Sequence, residues 1–176
     1  MSLRRSRLAS PVLLAVAGLA LAGCGGGGGG DEGAYVKTYE GACKSIANAT
    51  TEFAGSAGKL QTEIRSNPEK AMGTFRDGFG KVLDTFGDQM QVLADAEAPK
   101  QWEDFQKSVS DAADDTEKGI EQAKDRLGDL KTPADIAKVG TAFQGLNIGK
   151  GMQEIPKDLA QKAPSCSGLG GAAAKA

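Results

Sequence analysis

Three cysteines, Cys24, Cys43 and Cys166, and no histidine bound the chemistry open to this 176-residue chain. Without imidazole there is no Ser-His-Asp or Cys-His activation of a nucleophile and no imidazole proton transfer. The Glu-x-x-His pattern of di-iron bundles is missing, as is haem ligation by histidine. Carboxylates are what remains for acid–base work. The dense acidic groups are Glu103-Asp104 and the trio Asp111, Asp114 and Asp115. The trio shares one helix surface and could draw in a hard cation, but no Asp-x-Asp-x-Asp-Gly loop accompanies it. A solvated helix face accounts for it. No catalytic residue, metal ligand or cofactor is expected.

Cys24 stands in a different kind of context. The chain opens Met1-Ser2-Leu3-Arg4-Arg5-Ser6-Arg7, continues as an apolar run from Leu8 to Ala20, and reaches Leu21-Ala22-Gly23-Cys24. A charged head, a short apolar middle and small residues before a cleavage point describe a secretory signal peptide. The apolar run, about 16 residues with Pro11 inside it, is shorter than the ~20 needed to span a bilayer. Arg7 stands where a twin-arginine signal prefers an apolar residue.

The Leu-Ala-Gly-Cys ending resembles the lipobox of bacterial lipoproteins. That resemblance implies a diacylglyceryl group on the Cys24 thiol, cleavage before it, and Cys24 as the lipidated N-terminus. It also implies export, with the domain held at the outer face of the cytoplasmic membrane. In a host with two membranes, Gly25 after Cys24 directs it to the outer one. Two acyl chains hold stably where one binds only marginally. The Ala/Gly-rich composition and the Ala-Pro-Ser-Cys-Ser-Gly-Leu ending are similar to small actinobacterial envelope lipoproteins, a likeness that implies no activity.

Loss of residues 1–23 would leave 153 residues, one ordinary domain with length enough for a core. Three arginines leave with them, so 18 basic residues face 23 acidic ones, a net charge of −5. An acidic surface argues against nucleic acid and against electrostatic docking on anionic lipid. With Cys24 spent on the anchor, Cys43 and Cys166 form an even pair in an exported chain, where disulfides persist. Closing that loop of about 120 residues contributes at most ~4–5 kcal/mol through chain entropy. The alternatives are two free thiols, or half of a zinc shell that no histidine completes.

The elements that would position these residues are helical. Residues 24–33 read as a lipidated Gly-rich tether: Gly25 to Gly30, then Asp31, Glu32 and Gly33, spanning about 15–18 Å as a flexible chain. From Ala34, Tyr35, Tyr39, Cys43, Ile46, Thr50, Phe53, Ala57, Leu60 and Ile64 recur at steps of three or four, the spacing of one helix face. Gly55 and Gly58 weaken that helix and could bend it. Asn67-Pro68-Glu69 combines a cap, a first-turn proline and an acid at the positive end of the dipole. A second stripe follows: Met72, Phe75, Phe79, Val82, Phe86, Met90 and Leu93. Gly73, Gly78, Gly80 and Gly87 lie off it and could mark close helix approach.

Pro99 opens a third stripe running from Trp102 through Phe105, Val109, Ala112, Thr116, Ile120, Ala123 and Leu127 to Leu130. On its polar side Glu121 has Lys118 and Lys124 at i±3. Thr132-Pro133-Ala134-Asp135 starts a fourth stripe of Ile136, Val139, Phe143 and Leu146. Pro156 opens a short helix over 157–162. Residues 168–176 read as a loose tail. No run has the alternation of a strand.

The expected fold is therefore all-α: an antiparallel up-down four-helix bundle over 34–167, with a short C-terminal helix and a Cys43–Cys166 disulfide. That topology brings the start of helix one beside the segment after helix four, where the two cysteines stand. The expected function is a membrane-anchored, non-enzymatic interaction or scaffold module with an envelope protein as partner. The alternative is a carrier of an apolar molecule, with Met72, Phe75, Phe79, Phe86 and Met90 as candidate lining, since a Met- and Phe-rich face adapts to such ligands. Ordinary core packing accounts for the same stripe. Trp102 is read as sealing one end of the core, Tyr35 and Tyr39 as packing.

Overall fold

The computed structural model describes residues 29–136, 139 and 151–167. Among them every regular element is helical, and there is no strand. In chain order these are α1 (Glu32–Gly55), α2 (Ala57–Ser66), α3 (Pro68–Ala94), a 3-10 turn (Lys100–Trp102), α4 (Glu103–Asp129), α5 (Pro133–Ile136), α6 (Lys157–Lys162) and a second 3-10 turn (Pro164–Cys166). Residues 1–28, 137–138, 140–150 and 168–176, including Cys24, Phe143 and Leu146, lie outside the described residues.

The expected first helix begins earlier and ends sooner. Asp31, assigned to the tether, is instead the N-cap, its carboxylate accepting from the Ala34 amide at 2.7 Å. Glu32 and Gly33 are helical. At the other end Ser56 interrupts the helix. Its hydroxyl donates to the Phe53 carbonyl at 2.6 Å, and its amide to Glu52 and Phe53. A serine that bonds its own backbone competes with the helical ladder, and Gly55 before it offers no resistance.

α2 then lies on α3, fixed by Glu63. That carboxylate accepts from the Thr74 hydroxyl at 2.9 Å and pairs with Lys70 at 3.2 Å. The Asn67-Pro68 restart takes the expected form, the Asn67 side chain accepting from the Lys70 amide at 3.1 Å with Pro68 in the first turn. Asp135 closes the start of α5 by accepting from the Thr132 amide and hydroxyl, both at 2.9 Å.

α3 is the central helix. It packs against α1 and α2 on one side and α4 on the other. Met90 and Leu93 at its end meet Tyr35, Tyr39 and Phe105, while Met72 and Phe75 at its start meet Leu127 and Leu130. So α3 runs antiparallel to both long neighbours, and α1 and α4 start at the same end. Two of the four off-stripe glycines, Gly78 and Gly87, mark close contacts, and Gly80 an ordinary one. A Cβ on Gly78 would stand 2.9 Å from the Phe53 ring, one on Gly87 3.3 Å from Ile120, and one on Gly80 3.9 Å from Leu127. Nothing lies within 4 Å of the Cβ position of Gly73.

The core forms two clusters rather than one continuous stripe. One gathers Tyr35, Tyr39, Ala42, Cys43, Met90, Leu93, Trp102, Phe105 and Val109 with Leu159, Ala163 and Cys166 of the C-terminal segment. The other gathers Met72, Phe75, Leu83, Ile120, Ala123, Leu127 and Leu130, with Phe53, Phe79, Ile136 and Val139 against it.

Candidate functional site

The richest assembly of polar and sulfur groups lies at the end of the bundle where α1 and α4 begin. Its centre is a residue with no marker in the sequence, Gln106, which directly follows Phe105 of the third stripe. The Gln106 side-chain oxygen accepts from the hydroxyls of Tyr35 at 2.8 Å and Tyr39 at 3.2 Å. Its amide nitrogen donates to the carbonyls of Leu93 at 2.7 Å and Ala94 at 3.0 Å, the exposed end of the α3 ladder. One buried amide thus joins the starts of α1 and α4 to the end of α3, and satisfies two of the carbonyls that a helix end leaves open. Burial is the main cause that raises both tyrosine hydroxyls above their ordinary pKa.

Around this hub Tyr35 stacks on Trp102 with ring centroids 5.4 Å apart, and Tyr39 tilts against Phe105 at 5.6 Å. Trp102 is 2% exposed and seals this end of the core, as the sequence implies. Its indole N–H donates to Asp158 at 3.0 Å, and the Lys162 ammonium lies 5.6 Å from the ring centroid.

The C-terminal segment closes over these rings. Cys43 and Cys166 are bonded, with Cα atoms 5.0 Å apart and 123 positions between them in sequence. Both half-cystines are buried. Glu40, three residues before Cys43 and so on the same face, accepts from the Ser165 amide at 2.9 Å and hydroxyl at 2.6 Å. These two bonds hold the Glu40 carboxyl below its ordinary range. Glu32 pairs with Lys162 and accepts from Gln101 at 3.1 Å, which lowers its carboxyl too. Leu159 and Ala163 supply the apolar underside, with no exposed surface left. Neither Glu40 nor Ser165 stands out in the sequence, because their meeting depends on the disulfide next to each.

The other candidate groups are placed elsewhere. The stripe Met72, Phe75, Phe79, Phe86 and Met90 is divided: Met72 and Phe75 belong to the far cluster with Phe79 against it, Met90 to the near one, and Phe86 touches both. Phe75 and Phe79 stack at 5.9 Å, and Phe53 meets each of them edge-on. A depression of about 320 Å³ lies away from this stripe, lined by Gln61, Thr62, Arg65 and Ser66 of α2. Asp111 pairs with Lys107 at 2.6 Å and Asp115 with Lys118 at 3.6 Å, all largely exposed. Lys124 does not turn to Glu121 but crosses to Asp84 of α3 at 2.5 Å.

Among the described residues no group of acidic and sulfur side chains is arranged to hold a metal ion, and no helix is long and apolar enough to cross a membrane. Comparison with protein-family models, with characterised proteins and with solved structures finds no match to this chain.

Proposed function

We propose that this protein is an exported lipoprotein of a bacterial envelope, anchored through a diacylglyceryl group on Cys24 and acting as a non-enzymatic interaction module through a helix face. The observation that carries the reading is the order of arginines, apolar run, small residues and Cys24 over residues 1–24. A buried disulfide supports it, since such bonds persist in exported proteins and are rare where thiols are kept reduced.

The reading includes a four-helix, up-down architecture. α5 begins beyond the end of α4, while the Gln153 amide donates to the Ser108 hydroxyl near its start at 3.1 Å. The fourth stripe, Ile136, Val139, Phe143 and Leu146, supplies the fourth helix of this reading.

Fractionation of cells producing the wild type and Cys24→Ala tests the anchor. The wild type is expected in the membrane fraction, with an intact mass that lacks residues 1–23 and carries acyl chains. Cys24→Ala is expected to be soluble or unprocessed. A natural product with its original N-terminus and no acyl chain would overturn the reading. Crosslinking in intact cells tests the interaction role, and repeated failure to recover an envelope protein would count against it.

A further inference from the structure

The tether is not free up to the first helix. The Gly30 amide donates to the Ala98 carbonyl at 3.0 Å, in the loop that joins α3 to the 3-10 turn. The fit is close enough to exclude any side chain: a Cβ on Gly30 would stand 1.9 Å from the Glu97 carbonyl oxygen. Before it, the Cβ position of Gly29 lies 3.3 Å from the Lys100 amide and 3.7 Å from the Pro99 Cα. The chain thus crosses the end of the bundle, over Glu97 to Lys100, before α1 begins at Glu32.

From these contacts we propose that the α3–α4 loop clamps the tether and presents the bundle end-on to the lipid bilayer, with the loop, the 3-10 turn and α6 as the membrane-facing end. The proposal rests on the lipid anchor at Cys24. Six Cα–Cα steps separate Cys24 from Gly30, so the two are at most about 20–22 Å apart whatever the intervening conformation. A tether free to the Asp31 cap would allow about 23–25 Å. The clamp changes the reach by one residue; what it fixes is the direction of the tether, which leaves across the end face over Glu97 to Lys100 rather than along a flank. α3 has 27 residues, so the opposite end, with α2 and the α2–α3 turn, stands about 40 Å farther along the bundle. The near end carries Glu32, Glu97, Glu103 and Asp104 beside Lys100 and Lys162, so it gains nothing from anionic lipid, and the clamp alone sets the orientation. α2 is then the surface held out toward envelope partners.

The chain supplies its own reporter and its own coupling site. Trp102, the single tryptophan, is at the near end. With Cys43 and Cys166 bonded to each other, Cys24 is the one free thiol. Residues 24–176, which include every described residue, are coupled through Cys24 to phosphatidylcholine vesicles containing a maleimide lipid and a dansyl lipid. Energy transfer from Trp102 to dansyl is compared with that from Trp102→Phe/Arg65→Trp, whose reporter is on exposed α2 at the far end. Because transfer falls with the sixth power of distance, Trp102 is expected to transfer severalfold more efficiently.

Gly30→Ala, which breaks the clamp, is expected to lower transfer from Trp102 while circular dichroism and the melting temperature of the soluble domain stay near wild type. Equal transfer from both positions, or no change on Gly30→Ala in a folded domain, overturns end-on clamping. Vesicle coupling is chemical and does not need natural acylation. A Cys24 found unlipidated in cells therefore removes the anchor reading without touching the clamp measurement, and the converse also holds.

Discussion

The Tyr35 hydroxyl and the Gln106 side-chain oxygen meet 2.8 Å apart inside the core, although 71 positions separate them in sequence. Gln106 spends its other end on the Leu93 and Ala94 carbonyls. Three long helices therefore share one buried amide. Leucine has nearly the same bulk and no polar atom, so Gln106→Leu strands the two tyrosine hydroxyls, while the Ala94 carbonyl keeps the Ser110 hydroxyl at 2.9 Å and the Leu93 carbonyl keeps the Ala96 amide at 3.3 Å. A buried group left without a partner costs about 1–3 kcal/mol, and the tyrosines can partly compensate through each other, so a loss of about 1–3 kcal/mol is expected from urea unfolding. Tyr35→Phe removes one donor and leaves an acceptor that Tyr39 still fills, so its loss is about 1 kcal/mol. A Gln106→Leu domain as stable as wild type would mean the hub contributes nothing net.

The disulfide is expected to hold the C-terminal segment on the bundle. Cys43→Ser frees Cys166 and removes a crosslink spanning 123 positions. The chain-entropy model assigns such a loop about 4–5 kcal/mol, an upper figure. A lower melting temperature is expected, together with faster proteolysis within 151–167. Denatured wild-type domain 24–176 should titrate as one thiol, that of Cys24. Three thiols with an unchanged melting point on Cys43→Ser would dispose of the crosslink.

Acid should loosen the same segment. The Glu40 carboxyl is held below its ordinary value of 4.5, first by the Ser165 hydroxyl and then by the Ser165 amide. A folded-state pKa below the unfolded one means stability that is fully present above the unfolded pKa and lost as pH falls through the folded one. Glu32, lowered mainly by its bond from Lys162, acts in the same direction. Glu40→Gln should therefore melt below wild type at neutral pH, and the gap should close as the solution is acidified past the usual carboxylate range. A gap that is constant across that range would show that the Glu40 charge is not what Ser165 recognises.

Much of this fold is legible in the sequence, and the limits have physical causes. Helical stripes are visible because a helix must repeat its apolar residues every three or four positions to bury one face. The Asn67-Pro68 cap and the cysteine pair are equally local or combinatorial signals. The break at Ser56 is less so, because Gly55 and Gly58 mark a weakness without saying which residue will bond its own backbone. Gln106, Glu40 and the Gly30 clamp are invisible for a different reason. Each acts through a partner that is 68 or more positions away in sequence, and a glutamine, a glutamate or a glycine among others in a run carries no mark of that. The division of the Met–Phe stripe between two clusters likewise depends on which helices lie beside α3, not on α3 itself.

Two glycines of α3 should respond to alanine with opposite signs. Both are helical with ordinary backbone angles, so both give up about 0.5–1 kcal/mol relative to alanine in helix propensity. At Gly73 nothing lies within 4 Å of the new methyl group, and Gly73→Ala should recover that amount. At Gly78 the methyl group would stand 2.9 Å from Cδ2 and 3.3 Å from Cε2 of Phe53. Phe53 cannot swing aside freely, because its ring meets Phe75 at 5.7 Å and Phe79 at 5.4 Å. Relief requires α1 to back away from α3 or the aromatic trio to repack, at the ~1–3 kcal/mol typical of overpacking, which exceeds the propensity gain. Gly78→Ala should thus lower the unfolding midpoint while Gly73→Ala raises it, with no change in helix content. If both substitutions stabilise, the approach of Phe53 to α3 is looser than these contacts require, and the packing of α1 on α3 must be drawn again.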